Sequence, residues 1–275
     1  MSSKLGLWFF ASLVTIPAFV ACSSSDDESG QNDVATQPQT GPDASANPQD
    51  SSVAEPQKDA ATEDASHMPD ASGPVCTAAA EQLLKPVDSV STGAVTVLSD
   101  ETGVKTIFVD AAAGGTAGQA TNPRLYLNLD SLARVDVTDK TASTSTAWDL
   151  AIKRPILFTN GGHGGSGQGG AVRLVDKEFD AVTAADASSA TFAKEIFFDA
   201  DCNPQTDQTG AVKTTFDGWY DYNTADNTLT PAAGTWLVKG GAGKLYKIAI
   251  VTYYATPDGG VGMSGGRYVI KVGAL

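Results

Sequence analysis

The most unusual stretch of this 275-residue chain is Asn160-Gly161-Gly162-His163-Gly164-Gly165-Ser166-Gly167-Gln168-Gly169-Gly170, seven of whose eleven residues are glycine. It contains a formal G-x-G-x-x-G at Gly162, Gly164 and Gly167. A phosphate or dinucleotide loop needs a strand before the glycines and a helix N-terminus after them. The strand-like Ala171-Val172-Arg173-Leu174-Val175 follows instead, and no P-loop lysine is present. The stretch therefore reads as a flexible or tightly turning connection between two strands. His163 within it is either a solvated loop histidine or a ligand, and one imidazole fills only one coordination position. Asp199-Ala200-Asp201-Cys202-Asn203-Pro204-Gln205-Thr206-Asp207 spaces oxygen side chains two apart, as calcium loops do. The EF-hand pattern fails, because Pro204 stands where glycine is required and Gly210 where the bidentate glutamate belongs. Asp199, Asp201, Asn203 and Asp207 are then either turn caps or a weak calcium site. Phe216, Trp219, Tyr220 and Tyr222, with Tyr253 and Tyr254, could line a pocket for a flat ligand or serve as core and cross-strand pairs.

Catalytic signatures are missing: there is no G-x-S-x-G elbow, no H-E-x-x-H and no zinc-type Cys/His spacing. The chain is expected to be non-enzymatic, although a Ser-His-Asp set around His163 is not excluded by sequence. With two histidines in all, a large histidine-based metal site is excluded. The three cysteines divide into one and a pair. Residues 1–21 read as an export signal, with Lys4 followed by an apolar run too short and weakly flanked for a stable membrane span. The run ends Phe19-Val20-Ala21-Cys22, which resembles the bacterial lipobox, although Phe19 stands where leucine is usual. Cys22 is then the lipidated first residue of the mature chain; the alternative is an ordinary secretory signal with an incidental cysteine. In an exported, oxidising compartment the remaining Cys76 and Cys202 are expected to form a disulfide, two free thiols being the alternative.

These groups must be positioned by a scaffold, and the charge shows where it lies. The formal charge is −14, yet residues 23–75 hold eleven acidic residues against Lys58 alone, and residues 76–275 only 21 acidic against 16 basic. The acidity argues against nucleic acid, which demands a basic surface, and against anionic membrane surfaces. Residues 23–75 contain six prolines and no Ile, Leu, Phe, Trp or Tyr. Such a segment cannot bury enough apolar surface to offset its ordering entropy, so residues 22–75 are expected to be a lipidated cysteine and a disordered acidic tether.

Residues 76–275 are long enough for one sizeable core. A short helix is expected at Thr77–Leu84, stopped before Pro86. Period-2 patterns then dominate: 94–98, 105–109, 124–129, 148–154 continuing through 156–158 past Pro155, 171–175, 196–198, 236–238, 244–254 and 267–272, the last pairing with its predecessor as a hairpin. The expected class is all-β or mostly β: a single compact domain of antiparallel strands with few short helices.

Trp148-Asp149-Leu150-Ala151, then Arg154, then Thr159-Asn160-Gly161-Gly162 resembles the signature of HmuY-like bacterial lipoproteins. Gly218-Trp219-Tyr220-Asp221-Tyr222 and Lys244-Leu245-Tyr246-Lys247-Ile248, followed by Tyr253-Tyr254, are similar to that family's C-terminal part. The resemblance implies a mostly β fold, haem as ligand, and uptake of haem for delivery to an outer-membrane transporter. It also implies an outer-membrane lipoprotein, held to the membrane by its lipid and open to surface exposure. Founding members hold haem iron between two histidines, and some relatives use methionine. Here His67 lies in the tether, so the departure from the two-histidine pattern directs attention to His163 and Met263, the lone methionine of residues 76–275, as the ligand pair. The competing class is a non-enzymatic surface lipoprotein with an adhesive or structural role, binding a protein or glycan. A calcium-stabilised scaffold is a third.

Overall fold

A computed structural model describes residues 76–207 and 210–275. The expected signal, Cys22 and the acidic tether lie outside the described residues. Helix α1, Thr77–Leu84, opens the described part at the expected bounds. It stops where Lys85 turns left-handed (φ 45°) and its N–H donates back to Glu81 O, with Pro86 next in the chain.

Antiparallel strands make up most of the rest. They are β1 (Val95–Glu101), β2 (Val104–Asp110), β3 (Leu125–Asn128), β4 (Ala133–Arg134), β5 (Leu150–Lys153), β6 (Ile156–Thr159) and β7 (Gly170–Leu174). After these come β8 (Tyr220–Asn223), β9 (Thr228–Pro231), β10 (Thr235–Lys239), β11 (Leu245–Thr252) and β12 (Arg267–Ala274). Two further helices are short: α2, Gly115–Gly118, and α3, Ala184–Ser189. One sheet runs β1-β2-β12-β11-β10-β7, a second β4-β3-β5-β6, and β8 pairs with β9 alone. The expected mostly β architecture and the β11–β12 hairpin are both present.

The two larger sheets enclose the main core. Ile107, Val109, Ile248, Ile270 and Val272 from the six-stranded sheet meet Leu125, Leu127, Leu150, Ile152 and Leu157 from the four-stranded one. The smaller sheet is buried on its other face too. There Tyr126, Ala151 and Phe158 pack with Trp148, Phe197 and Phe198, and Ala79, Ala80, Leu83 and Leu84 of α1 cover them. Burial on both faces overrides the alternation expected at 124–129 and 148–154: every residue from Leu125 to Leu127 and from Leu150 to Ile152 is buried.

Cys76 and Cys202 are joined, with Cα atoms 5.4 Å apart, tying the start of α1 to the segment after Phe198 across 126 residues of sequence. Closing so long a loop restricts the unfolded chain, and the double substitution Cys76→Ser/Cys202→Ser is expected to lower unfolding free energy by about 5 kcal/mol in urea titration.

Two expectations fail locally, and one hairpin was not expected. The strand expected to run on past Pro155 instead reverses: Arg154 and Pro155 form a two-residue turn, and Lys153 pairs with Ile156 across a hairpin. Proline has no N–H for a central ladder, so the chain turns where it stands. Ile196–Phe198 is not a ladder strand, because the N–H groups of Phe197 and Phe198 donate to His163. The β8–β9 hairpin lies where the sequence shows mainly an aromatic cluster.

Candidate functional site

The glycine-rich segment joins β6 to β7 and is packed, not loose. Asn160, fully buried, organises it: its Nδ2 donates to Ser145 O (2.8 Å) and Trp148 O (2.9 Å), and its Oδ1 accepts from Gly167 N (3.0 Å). A Cβ on Gly165 would stand 2.2 Å from Asn160 Oδ1, so only glycine lets the chain wrap this amide. The preceding Asp149 accepts from Leu129 N (2.6 Å) and Gly241 N (2.8 Å), joining the two sheets. Burial pushes its carboxyl above the ordinary value. Trp148 donates to Ala142 O (2.8 Å) and meets Tyr126 and Phe158 edge-on. The Trp148-Asp149…Asn160-Gly161-Gly162 signature is thus a structural knot.

His163 belongs to that knot. Its ring is exposed, but Nδ1 accepts from Phe197 N (3.0 Å) and Phe198 N (3.3 Å). With the Nδ1 lone pair facing donors, the neutral ring carries its proton on Nε2, so neither nitrogen offers a lone pair outward. Met263 lies elsewhere. The register of the four-stranded sheet puts Leu125, Ile152 and the Arg154 turn at one end, and Leu127, Leu150 and Thr159 at the other. His163 follows the Thr159 end, whereas Met263 shares a cleft with Arg154, Asn122 and Pro123 at the opposite end. The length of β6 alone, about 10 Å at 3.3 Å per residue, separates the two ends. The expected His163–Met263 pair therefore does not meet in this structure.

The Met263 cleft encloses about 960 Å³. Small residues 89–93 and 112–116 form part of its wall, and Arg154, Asn227, Tyr253, Tyr254, Met263 and Arg267 supply its larger side chains. Met263 is 97% exposed, so its sulfur is open to a ligand in the cleft. Tyr253 packs edge-on against Tyr254 (4.9 Å between centroids) and Tyr268 (5.3 Å), and near Trp219 (5.8 Å). Its hydroxyl is buried without a hydrogen-bond partner among the described residues. Burial pushes the Tyr253 phenol up to about 12, with the Arg154 guanidinium pulling the other way. Tyr254, by contrast, accepts from Leu229 N (3.0 Å). Asp110 accepts from Arg267 Nε and from Ala112 N, each at 3.2 Å. Of these residues, sequence reading singled out Met263, Tyr253 and Tyr254, and placed Arg154 only within a motif. Nothing in the sequence marks the residue between Lys153 and Pro155 as facing a cleft.

The acidic loop closes on itself. Asp199 accepts from Asp201 N, Asn203 N and Asn203 Nδ2 at 2.9–3.0 Å, and Asp207 accepts from Ala211 N at 3.0 Å. Among the described residues no group of three His, Cys, Asp or Glu side chains is placed to hold a metal ion.

A family model described as HmuY protein matches residues 120–264, just over half of the chain. The chain belongs to the HmuY family. The matched stretch contains the knot and, of the cleft, Arg154, Asn227, Tyr253, Tyr254 and Met263, but not Arg267 or the wall at 89–93 and 112–116. Three solved structures are similar at low identity. An apo HmuY analogue from Tannerella forsythia is 16% identical, covering 64% of this chain and 98% of its own, with a TM-score of 0.43. A candidate HmuY-like haem-binding protein from Bacteroides vulgatus is 15% identical, covering 64% and 95%, at 0.41. A candidate lipoprotein from Bacteroides fragilis is 17% identical, covering 64% and 91%, also at 0.41. No curated protein matches this HmuY-family chain.

Proposed function

We propose that this chain is a lipid-anchored, non-enzymatic haem-binding protein that takes up haem for transport, and that haem sits in the Met263 cleft. The observation that carries the reading is the cleft itself: about 960 Å³, within the range of ligand sites, with a fully exposed thioether beside an aromatic wall. The donor set fits the group. A methionine sulfur ligates haem iron, the half-buried Tyr254 offers ring surface, and Arg154, unpaired among the described residues, offers positive charge for the acidic edge of the molecule. Family membership supports the same ligand. The proposed anchor is Cys22, with residues 23–75 as the stand-off between an outer membrane and the domain, and an outer-membrane receptor as the partner that accepts the haem.

Titrating the purified protein with hemin is expected to give a saturable Soret change at one equivalent. A linear, unsaturating response indistinguishable from hemin in buffer would sink the proposal.

A further inference from the structure

The cleft holds two hydrogen-bond donors that the protein leaves without acceptors. The Arg154 side chain makes no hydrogen bond or ion pair among the described residues, although its backbone N–H donates to Ala111 O and its carbonyl accepts from the Tyr268 hydroxyl. The Tyr253 hydroxyl is buried and unpartnered. Buried polar groups in folded proteins are nearly always satisfied, so the orphaned Tyr253 hydroxyl points to an acceptor brought by a ligand, and the half-buried Arg154 lines the same cleft. The protein's own carboxylate there, Asp110, is already engaged by Arg267 and Ala112.

The placement of Arg154 is itself costly. It is the first of the two turn residues between β5 and β6, and its φ is +50°. Hairpins put glycine at such a position, because a side chain strains the left-handed backbone. Strain of this kind persists only where the surrounding structure holds it, here through the Arg154 backbone bonds to Ala111 and Tyr268, and it clusters at ligand sites. Tyr253 is equally fixed, by its ring contacts and by Gly265, where a Cβ would stand 2.6 Å from the ring. No side chain at that position covers the phenol, which lines the cleft wall beside the Gly265 backbone.

We propose that Arg154 and Tyr253 form a carboxylate anchor, so that the cleft selects ligands by an acidic edge. The guanidinium supplies charge-assisted hydrogen bonds and the phenol one more, both to carboxylate oxygens. The inference rests on the haem reading and deepens it: haem enters with its propionates toward Arg154, and its acidic edge sets its orientation independently of the iron ligand.

Hemin and hemin dimethyl ester, which differ only at those carboxylates, separate the two ideas. Binding is followed by the Soret band and by tryptophan quenching in wild type, Arg154→Gly and Tyr253→Phe. Wild type is expected to prefer hemin over the ester by about 10- to 100-fold, the worth of hydrogen bonds to a charged group. Each variant is expected to lose most of that preference while its Tm stays equal or rises. Glycine suits the positive φ, and phenylalanine removes an unsatisfied polar atom. A purely structural role for either residue predicts a lower Tm with the preference intact, which overturns the anchor. Equal binding of hemin and ester by wild type also overturns it and leaves the haem reading standing. Binding of neither overturns both.

Discussion

Glu195→Ala is expected to destabilise the domain by on the order of 4 kcal/mol, the largest effect of any single polar substitution in the knot. Glu195 is 1% exposed and has no cationic partner among the described residues. Its carboxylate accepts from Thr159 N (2.7 Å), Thr159 Oγ1 (2.9 Å), Thr215 N (2.9 Å) and Thr215 Oγ1 (2.6 Å). Its backbone also takes the N–H of His163 and bridges to Gly162. One side chain therefore holds the end of β6, the glycine-rich segment and the approach to Phe216. Removing it strands two backbone donors that no rotation can redirect, each costing about 1–3 kcal/mol, while the two hydroxyls can turn elsewhere. Glu195→Gln keeps the shape but sets an amide NH2 against donors, so roughly half the loss is expected. Urea midpoints at constant slope measure both, and a loss below about 1 kcal/mol for the alanine variant would show that the four bonds are readily replaced by water.

The same residue gives the sign of a pH effect. Burial raises the Glu195 carboxyl above its ordinary value, against the pull of its four donors. A carboxyl raised in the fold holds its proton more tightly folded than unfolded. Its contribution is greatest below the unfolded value and is lost as pH rises through the folded one. Wild type is thus expected to lose stability relative to Glu195→Gln as pH rises above the ordinary glutamate value.

What the sequence could reveal depended on whether a signal was local. Helix α1 was legible because Thr77–Leu84 is bounded by its own stop, and β11–β12 because each strand has the period of a half-buried pair. Pro155 does not mark the turn in the sequence, because apolar residues run on both sides of it and the turn uses arginine where glycine would announce it. Ile196-Phe197-Phe198 has the composition of a strand, yet its donors are claimed by a histidine 34 residues earlier, a long-range competition that no propensity contains. The site divides the same way. Met263 stood out as the lone methionine of the folded part. The unsatisfied Tyr253 hydroxyl and the unpaired Arg154 are absences of partners, and they exist only once every neighbour has a position.

Met263→Ala and His163→Ala are expected to have opposite consequences, and the contrast follows from the two ends of the four-stranded sheet. At the cleft end, Met263 is fully exposed and has no packing partner to lose, so its truncation leaves the fold intact. It removes the sulfur available to iron, and hemin is expected to bind about tenfold more weakly or worse, a loss of about 1.4 kcal/mol, with a shifted Soret band. At the far end, truncating His163 strands the N–H groups of Phe197 and Phe198, and a stability loss of about 1–3 kcal/mol is expected. Its effect on the hemin spectrum is expected to be nil, since its Nδ1 is engaged and its Nε2 bears the proton. Melting curves and Soret titrations on the two variants therefore form a crossed pair: one moves the spectrum and not the fold, the other the fold and not the spectrum. If His163→Ala abolished the Soret change while Met263→Ala preserved it, the haem would belong at the glycine-rich end. The cleft would then need a different ligand to explain its exposed thioether and unpaired donors.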